Sequence, residues 1–302
     1  MKKLLCITLI LSFSYAEPIS PLEEIKNLDQ QKILLGKKLF FDTILSADNT
    51  ISCASCHDLN NGGDDGLKFS FGIHGQEGDI NSPTVFNAAY NFRQFWDGRA
   101  SSLLHQTWGP VENPVEMGNT FEQLIATLKK TPYEKEFYAI YKDGITKEAI
   151  GDAIAEFEKT LITLNAPFDK YLKGDQDAIT EDQKDGYALF KLKGCIACHH
   201  GINVGGNLYN KFGVMEKVKS TRLGRYDVTH KESDKYYFKV PTLRNIKETA
   251  PYLHDGRYDN LVDVVKFMAR YQLGQTISEH EVKKIVSFLH TLSGELPTSV
   301  SK

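Results

Sequence analysis

The 302-residue chain carries one five-residue pattern twice, as Cys53-Ala54-Ser55-Cys56-His57 and as Cys195-Ile196-Ala197-Cys198-His199. Together they use every cysteine except Cys6. Cys-x-x-Cys-His is the attachment pattern of c-type haem. Two thiols one helical turn apart add to the two vinyl groups of the macrocycle, and the adjoining His meets the iron from one face. Two disulfides of an exported protein, or a zinc site of four thiolates, could use the same four cysteines. Neither requires a His directly after both pairs. The chain is therefore expected to fold around two covalent c-type haems. Cys53, Cys56, Cys195 and Cys198 would be the attachment points, and His57 and His199 one iron ligand each.

The haem motifs sit in a longer duplication. Gly36-x-x-Leu39-Phe40 precedes the first, and Gly186-x-x-Leu189-Phe190 precedes the second. After them, Pro83-Thr84-Val85-Phe86-Asn87 matches Pro241-Thr242-Leu243-Arg244-Asn245, and Asp97-Gly98-Arg99 matches Asp255-Gly256-Arg257, both at an offset of 158. Two matches in register, each following a haem motif, argue for two related domains. Apolar residues from Ile150 through Ile154, Phe157 and Leu161 to Leu164 share one helical face, and Asn165-Ala166-Pro167 is expected to end that helix. Thr180 with Gln183, and Ser278 with Glu281, read as capping boxes. The glycine-rich stretches 60–78 and 201–213 read as loops around the haems. The expected fold class is all-α, mostly helical, with two tandem cytochrome c-like domains over 17–165 and 166–302.

Residues 1–16 read as a cleavable signal peptide: Met1-Lys2-Lys3, an apolar stretch from Leu4 to Phe13, then Ser14-Tyr15-Ala16. Cleavage would take the net charge from −3 to −5 by removing two lysines and no acids. With no basic excess, nucleic acid is not an expected partner. No later apolar run reaches the roughly 18 residues that span a bilayer, so a soluble, exported, periplasmic protein is expected.

The second iron ligand sets the function, because a Met or His there favours electron transfer and an open position permits chemistry. Met268 lies in a helical stretch after the second Asp-Gly-Arg and is the expected sixth ligand of the second haem. At the offset of 158 its counterpart in the first half is Pro110, which cannot ligate iron. Gln106 and Glu116 flank that position. An amide and a carboxylate suit the proton handling of a bound oxygen species, although both could equally be surface polar residues.

At this point the chain closely resembles the bacterial di-haem cytochrome c peroxidases. The resemblance covers essentially all of the chain beyond residue 16. It rests on both haem motifs, Ser82-Pro83-Thr84-x-x-Asn87, Phe95-Trp96-Asp97-Gly98-Arg99, Glu112-Asn113-Pro114-x-Glu116-Met117, Phe168-Asp169, Val240-Pro241-Thr242-Leu243-Arg244-Asn245, Tyr252-x-His254-Asp255-Gly256, and Met268 before Gln272-Leu273-Gly274. It implies reduction of hydrogen peroxide to water, with electrons from a small periplasmic cytochrome c or cupredoxin, and it is compatible with a homodimer. It makes the His57 haem peroxidatic and the haem of His199 and Met268 the electron-receiving one. His74, in Gly72-Ile73-His74-Gly75, matches a detachable distal ligand. Trp96 matches the aromatic residue between the haems. Gln106 and Glu116 match distal residues of the peroxide pocket, with Glu116 the acid–base group. Asn81, Thr249 and Pro251 match an interdomain calcium site, the last two through backbone carbonyls. Two other readings remain: a relative acting on a protein side chain, which would carry a tyrosine in place of Met268, and a di-haem electron carrier. Lys191, Lys193, Lys211, Lys217 and Lys219 are candidates for a docking face or for an ordinary solvated surface.

Overall fold

The repeated glycines explain the architecture. The computed structural model describes residues 17–300; the expected signal peptide lies outside the described residues. In the first half, α1 (Gln30–Phe41), α2 (Cys53–Cys56), α3 (Leu103–Glu112), α4 (Phe121–Leu128), α5 (Tyr133–Ile140) and α6 (Lys147–Glu158) follow in order. The second half holds α7 (Pro167–Leu172), α8 (Glu181–Leu192), α9 (Tyr226–Thr229), α10 (Leu261–Tyr271) and α11 (Glu279–Leu289). A two-stranded antiparallel ribbon pairs β1 (Tyr209–Lys211) with β2 (Tyr237–Lys239). The mostly helical fold class is as expected.

Helix α1 crosses α6, and α8 crosses α11, by the same device. A Cβ on Gly36 would overlap the Ala153 carbonyl oxygen and press on Phe157; one on Gly186 would overlap the Lys284 carbonyl and press on Phe288. The backbones touch only because both residues are glycine. Beside each crossing a phenylalanine pair closes the contact, Phe40 with Phe157 at 5.3 Å between ring centres and Phe190 with Phe288 at 5.2 Å. Thr180 and Ser278 cap α8 and α11 in the two expected capping boxes. Each half thus has its own apolar core. The chain ends trade places: Ile19 belongs to the second core, and Val300 packs against the first.

The duplication persists at the level of turns. Gln94 bridges Ala100, and Tyr252 bridges Tyr258 at the same offset. Phe95 and Leu253, between the bridged residues, both take left-handed backbone, with φ of 68° and 73°. Ser102 caps α3 and Asn260 caps α10. Repeat-related residues also meet across the seam. Asn87 and Asn245, both left-handed, each donate a side-chain N–H to the hydroxyl of Thr163, at 2.8 and 2.9 Å. Trp96 and His254 face each other edge to face at 6.1 Å.

One expected boundary differs. Helix α6 ends at Glu158, so Leu161 and Leu164 lie beyond it. The chain leaves the helix to thread the seam, where Leu161 accepts from the Asn87 backbone and Thr163 meets both asparagines. Leu161 is still buried, so the apolar spacing marked burial rather than helix.

The second half adds a buried ion pair. Arg244 stands where the first repeat has Phe86, and both are fully buried. Its guanidinium donates to Asp169 at 2.6 Å and to the carbonyls of Ile202 and Ser20. Asp169 also accepts from the Leu22 backbone. The pair locks residues 17–22 onto the second half, with its polar atoms satisfied as a buried charge requires.

Replacing an interior helix glycine with alanine ordinarily gains about 0.5–1 kcal/mol. At Gly186 the added methyl meets a backbone carbonyl, and the helices must separate. Gly186→Ala is expected to lose about 1–3 kcal/mol in a denaturant titration, the range for overpacking. A gain would show that the crossing is loose.

Candidate haem sites

In the second half an apolar cavity opens between the Cys195–Cys198 segment and α10. Cys195, Cys198, His199 and Met268 all line it, among apolar walls from Phe190, Leu243, Val265 and Leu289. The other two described methionines lie elsewhere: Met117 is in the first core and Met215 is exposed. Burial pushes the His199 imidazole down to about 4, so it is neutral and able to bind a metal. Its Nδ1 is buried beside the backbone of Val204 and Pro241 without a hydrogen bond of ordinary geometry. Asn210 donates to the Cys198 sulfur at 3.1 Å. Two thiols, a neutral imidazole and a thioether around an apolar slot fit a c-type haem.

In the first half, Cys53 and Cys56 form one turn, α2, with His57 directly after it. His57 Nδ1 lies 3.2 Å from the Gly63 carbonyl, a hydrogen bond that leaves Nε2 for iron. Burial lowers its pKa as well. It also pushes the Cys56 and Cys195 thiols up to about 11, and raises Cys53 further in the same direction. None of the four cysteines is paired in a disulfide. Among the described residues no cluster of three or more His, Cys, Asp or Glu is placed to hold a metal ion, which removes the four-thiolate zinc site.

Pro110 and Met268 occupy the eighth position of the repeat-related helices α3 and α10. Gln106 is also on α3, and its amide donates to both oxygens of Glu158 at 2.8 and 3.0 Å. Glu158 was not legible as a site residue: it reads as one more acid at a helix end, yet it is only 5% exposed. Glu116 follows α3 in a turn, where Asn113 donates to it at 2.7 Å. Burial raises the Glu116 carboxyl, opposed by Asn113 and Arg99.

The His74 turn is built onto the Glu116 turn. Ile73 N–H donates to the Glu116 carbonyl at 2.8 Å, and Gln76 donates to the Pro114 carbonyl. A side chain on Gly72 would collide with the Val115 and Glu116 carbonyls. His74 itself is left-handed, at φ 57°, and points outward with 68% of its side chain exposed, 3.5 Å from Asp48.

Trp96 lines the second cavity from the seam and donates its indole N–H to the Asn81 carbonyl at 2.9 Å. Asn81 is buried; its backbone donates to His254 and its side-chain amide to Leu67, which leaves the amide oxygen for another partner. Thr249 and Pro251 belong to the turn that approaches the 62–66 loop, where a Cβ on Gly66 would stand 4.0 Å from the Ala250 carbonyl. Of the five lysines singled out, Lys191 pairs with Glu17 and Lys193 with Glu281.

Fold and sites together define a c-type cytochrome of two haems, one in each of two related helical domains. Residues 30–177 match the family described as di-haem cytochrome c peroxidase. The chain is 48% identical over 285 residues to cytochrome c peroxidase Ccp of Escherichia coli, covering 92% of this chain and 61% of that protein. It is 46% identical over 285 residues to cytochrome c551 peroxidase of Nitrosomonas europaea, covering 93% and 85%. The solved diheme peroxidase BthA of Burkholderia thailandensis has the same fold, with a TM-score of 0.78 at 20% identity over 95% and 93% of the two chains. The chain belongs to the bacterial di-haem cytochrome c peroxidases, a family of haem oxidoreductases that act on peroxide.

Glu158 generates a prediction of its own. Burial pushes its carboxyl up to about 8, against about 4.3 for an unfolded glutamate. Between those values the folded chain holds a proton that the unfolded chain has lost, so stability falls as pH rises. Glu158→Gln removes that proton exchange. In urea titrations from pH 5 to pH 8 the variant should lose less stability than the parent; equal slopes would contradict the assignment.

Proposed function

We propose that the chain is a periplasmic peroxidase that reduces hydrogen peroxide to water at the first site. Its electrons enter at the second site from a small redox protein, a cytochrome c or cupredoxin. The observation that carries this reading is the unequal pair on α3 and α10: Met268 can hold the second iron permanently, while Pro110 at the matching position of the first half offers no ligand. A pure electron carrier would need both irons closed. Met268 in place of a tyrosine likewise speaks against action on a protein side chain.

Bound at the first site by Cys53, Cys56 and His57, a haem would supply the redox chemistry for cleaving the O–O bond of peroxide. Glu116 takes the proton from the bound peroxide and returns it to the departing oxygen. A carboxyl raised by burial is better matched to that exchange than a solvated one. Gln106, with its amide held by Glu158, orients the peroxide. His74 would be the detachable ligand of that haem, able to swing out on its glycine-flanked turn. Its outward position beside Asp48 is compatible with release, and its anchorage through Ile73 to the Glu116 turn would link opening to the proton-transfer site. Trp96 stands between the sites as the electron path.

The two haem domains are taken as residues 17–165 and 166–302. A calcium ion at Asn81, Thr249 and Pro251 would tie them together: the free Asn81 amide oxygen and two backbone carbonyls are the hard oxygen ligands that calcium prefers. Donor docking falls beside the second site. Lys211, Lys217 and Lys219 are exposed and make no ion pair among the described residues, and Val214 and Met215 form an exposed apolar patch among them. The signal peptide over residues 1–16 and a homodimeric assembly complete the reading.

Two substitutions test it. Glu116→Gln keeps the size but cannot carry a proton; turnover should drop about 10²–10⁴-fold with haem content intact. Turnover near that of the parent at saturating peroxide would pass the role to Gln106 and water. Met268→His should keep the second haem low-spin while lowering its potential strongly, since thioether ligation favours ferrous iron. An unchanged potential in a redox titration would reduce Met268 to a core residue.

A further inference from the structure

Lys239 ends strand β2 and lines the second cavity, yet it is only 6% exposed. Among the described residues its ammonium makes no ion pair and no hydrogen bond, and no carboxylate lines that cavity. The cavity's other lysine, Lys193, is already paired with Glu281 at 2.7 Å. Once an apolar ring fills that cavity, an unpaired ammonium facing it costs several kcal/mol unless an anion meets it. The walls offer none, so the anion must arrive with whatever fills the cavity. A c-type haem brings two propionates, at the edge of the ring opposite the vinyl groups that Cys195 and Cys198 hold. Lys239 is also fixed in place: its backbone N–H donates to the Trp96 carbonyl at 2.7 Å, so the charge sits at the seam beside the proposed electron path.

We propose that Lys239 is the counter-ion of an ionised propionate of the second haem, holding that edge of the ring against the Trp96 loop. Burial alone would push the ammonium down to about 8; pairing with a propionate keeps it charged through the neutral range. The other titratable groups of the cavity do not compete for the anion. Lys193 is paired, His199 is neutral, His254 is lowered to about 4 and bonded to Ser220, and Tyr252 is raised to about 12. The proposal rests on a haem filling the second cavity, and not on which haem meets peroxide.

The test is the midpoint potential of the second haem, followed from pH 5 to pH 8 in the holoprotein. With Lys239 present, the propionate stays ionised and the potential is nearly flat. In Lys239→Met, reduction is coupled to proton uptake by the propionate, so the potential falls as pH rises through the neutral range, and Lys239→Arg restores the flat profile. If Lys239→Met does not take up haem, Lys239→Gln, which keeps a polar end without the charge, is read in the same way. A flat profile in the charge-free variants, with two haems bound, overturns the proposal. Failure of Met268 as a ligand would appear separately, as loss of the low-spin thioether spectrum in the parent protein.

Discussion

One hydroxyl joins the two halves of this protein. Thr163 lies on the connecting segment and accepts from Asn87 of the first repeat and Asn245 of the second. Both asparagines are left-handed, a conformation in which Asn is among the few non-glycine residues to sit readily. The segment leaves α6 early to reach them; elsewhere on the seam the Trp96 loop lies against His254 and β2. This small buried network is one of several seam contacts between the halves, with Asn203 donating to the Asn87 carbonyl and Arg225 to the carbonyls of Asp97 and Gly98. Arg244 and Asp169 extend it by holding residues 17–22 on the far side. Such networks are stable only when every member is satisfied, which makes the seam specific as well as strong.

The halves differ most where their scaffolds agree best. Helices α3 and α10 have matching caps and matching starts, so their eighth positions are equivalent, and they hold Pro110 and Met268. Around the proline the first half gathers polar groups that the second lacks: Gln106 held by Glu158, and Glu116 held by Asn113. The second half has instead an apolar cavity with a single unpaired charge. One scaffold thus presents a polar distal side suited to proton transfer and an apolar slot suited to electron storage.

Much of this was legible before any coordinates. The haem motifs carry their chemistry in their spacing, and the repeat of 158 predicted the equivalence of Pro110 and Met268. The capping boxes at Thr180 and Ser278 were readable because they are local. What was not legible depends on distant partners. Gly36 and Gly186 were visible as a repeat, but their reason, a facing carbonyl far away in sequence, exists only in the fold. The end of α6 is not legible in the sequence, because Leu161 keeps the apolar spacing while buried in the seam rather than on a helix. Glu158 and Lys239 look like surface charges in sequence, and only their burial marks them as site residues.

On the proposed reading, one site opens while its twin stays closed. The direct measurement is electron paramagnetic resonance, with absorption spectra, of the protein reduced by one electron. The ferric haem at His57 should then be high-spin or five-coordinate, while the reduced haem of His199 and Met268 stays six-coordinate and low-spin. Two six-coordinate low-spin haems in the half-reduced protein would contradict it and leave a carrier of electrons.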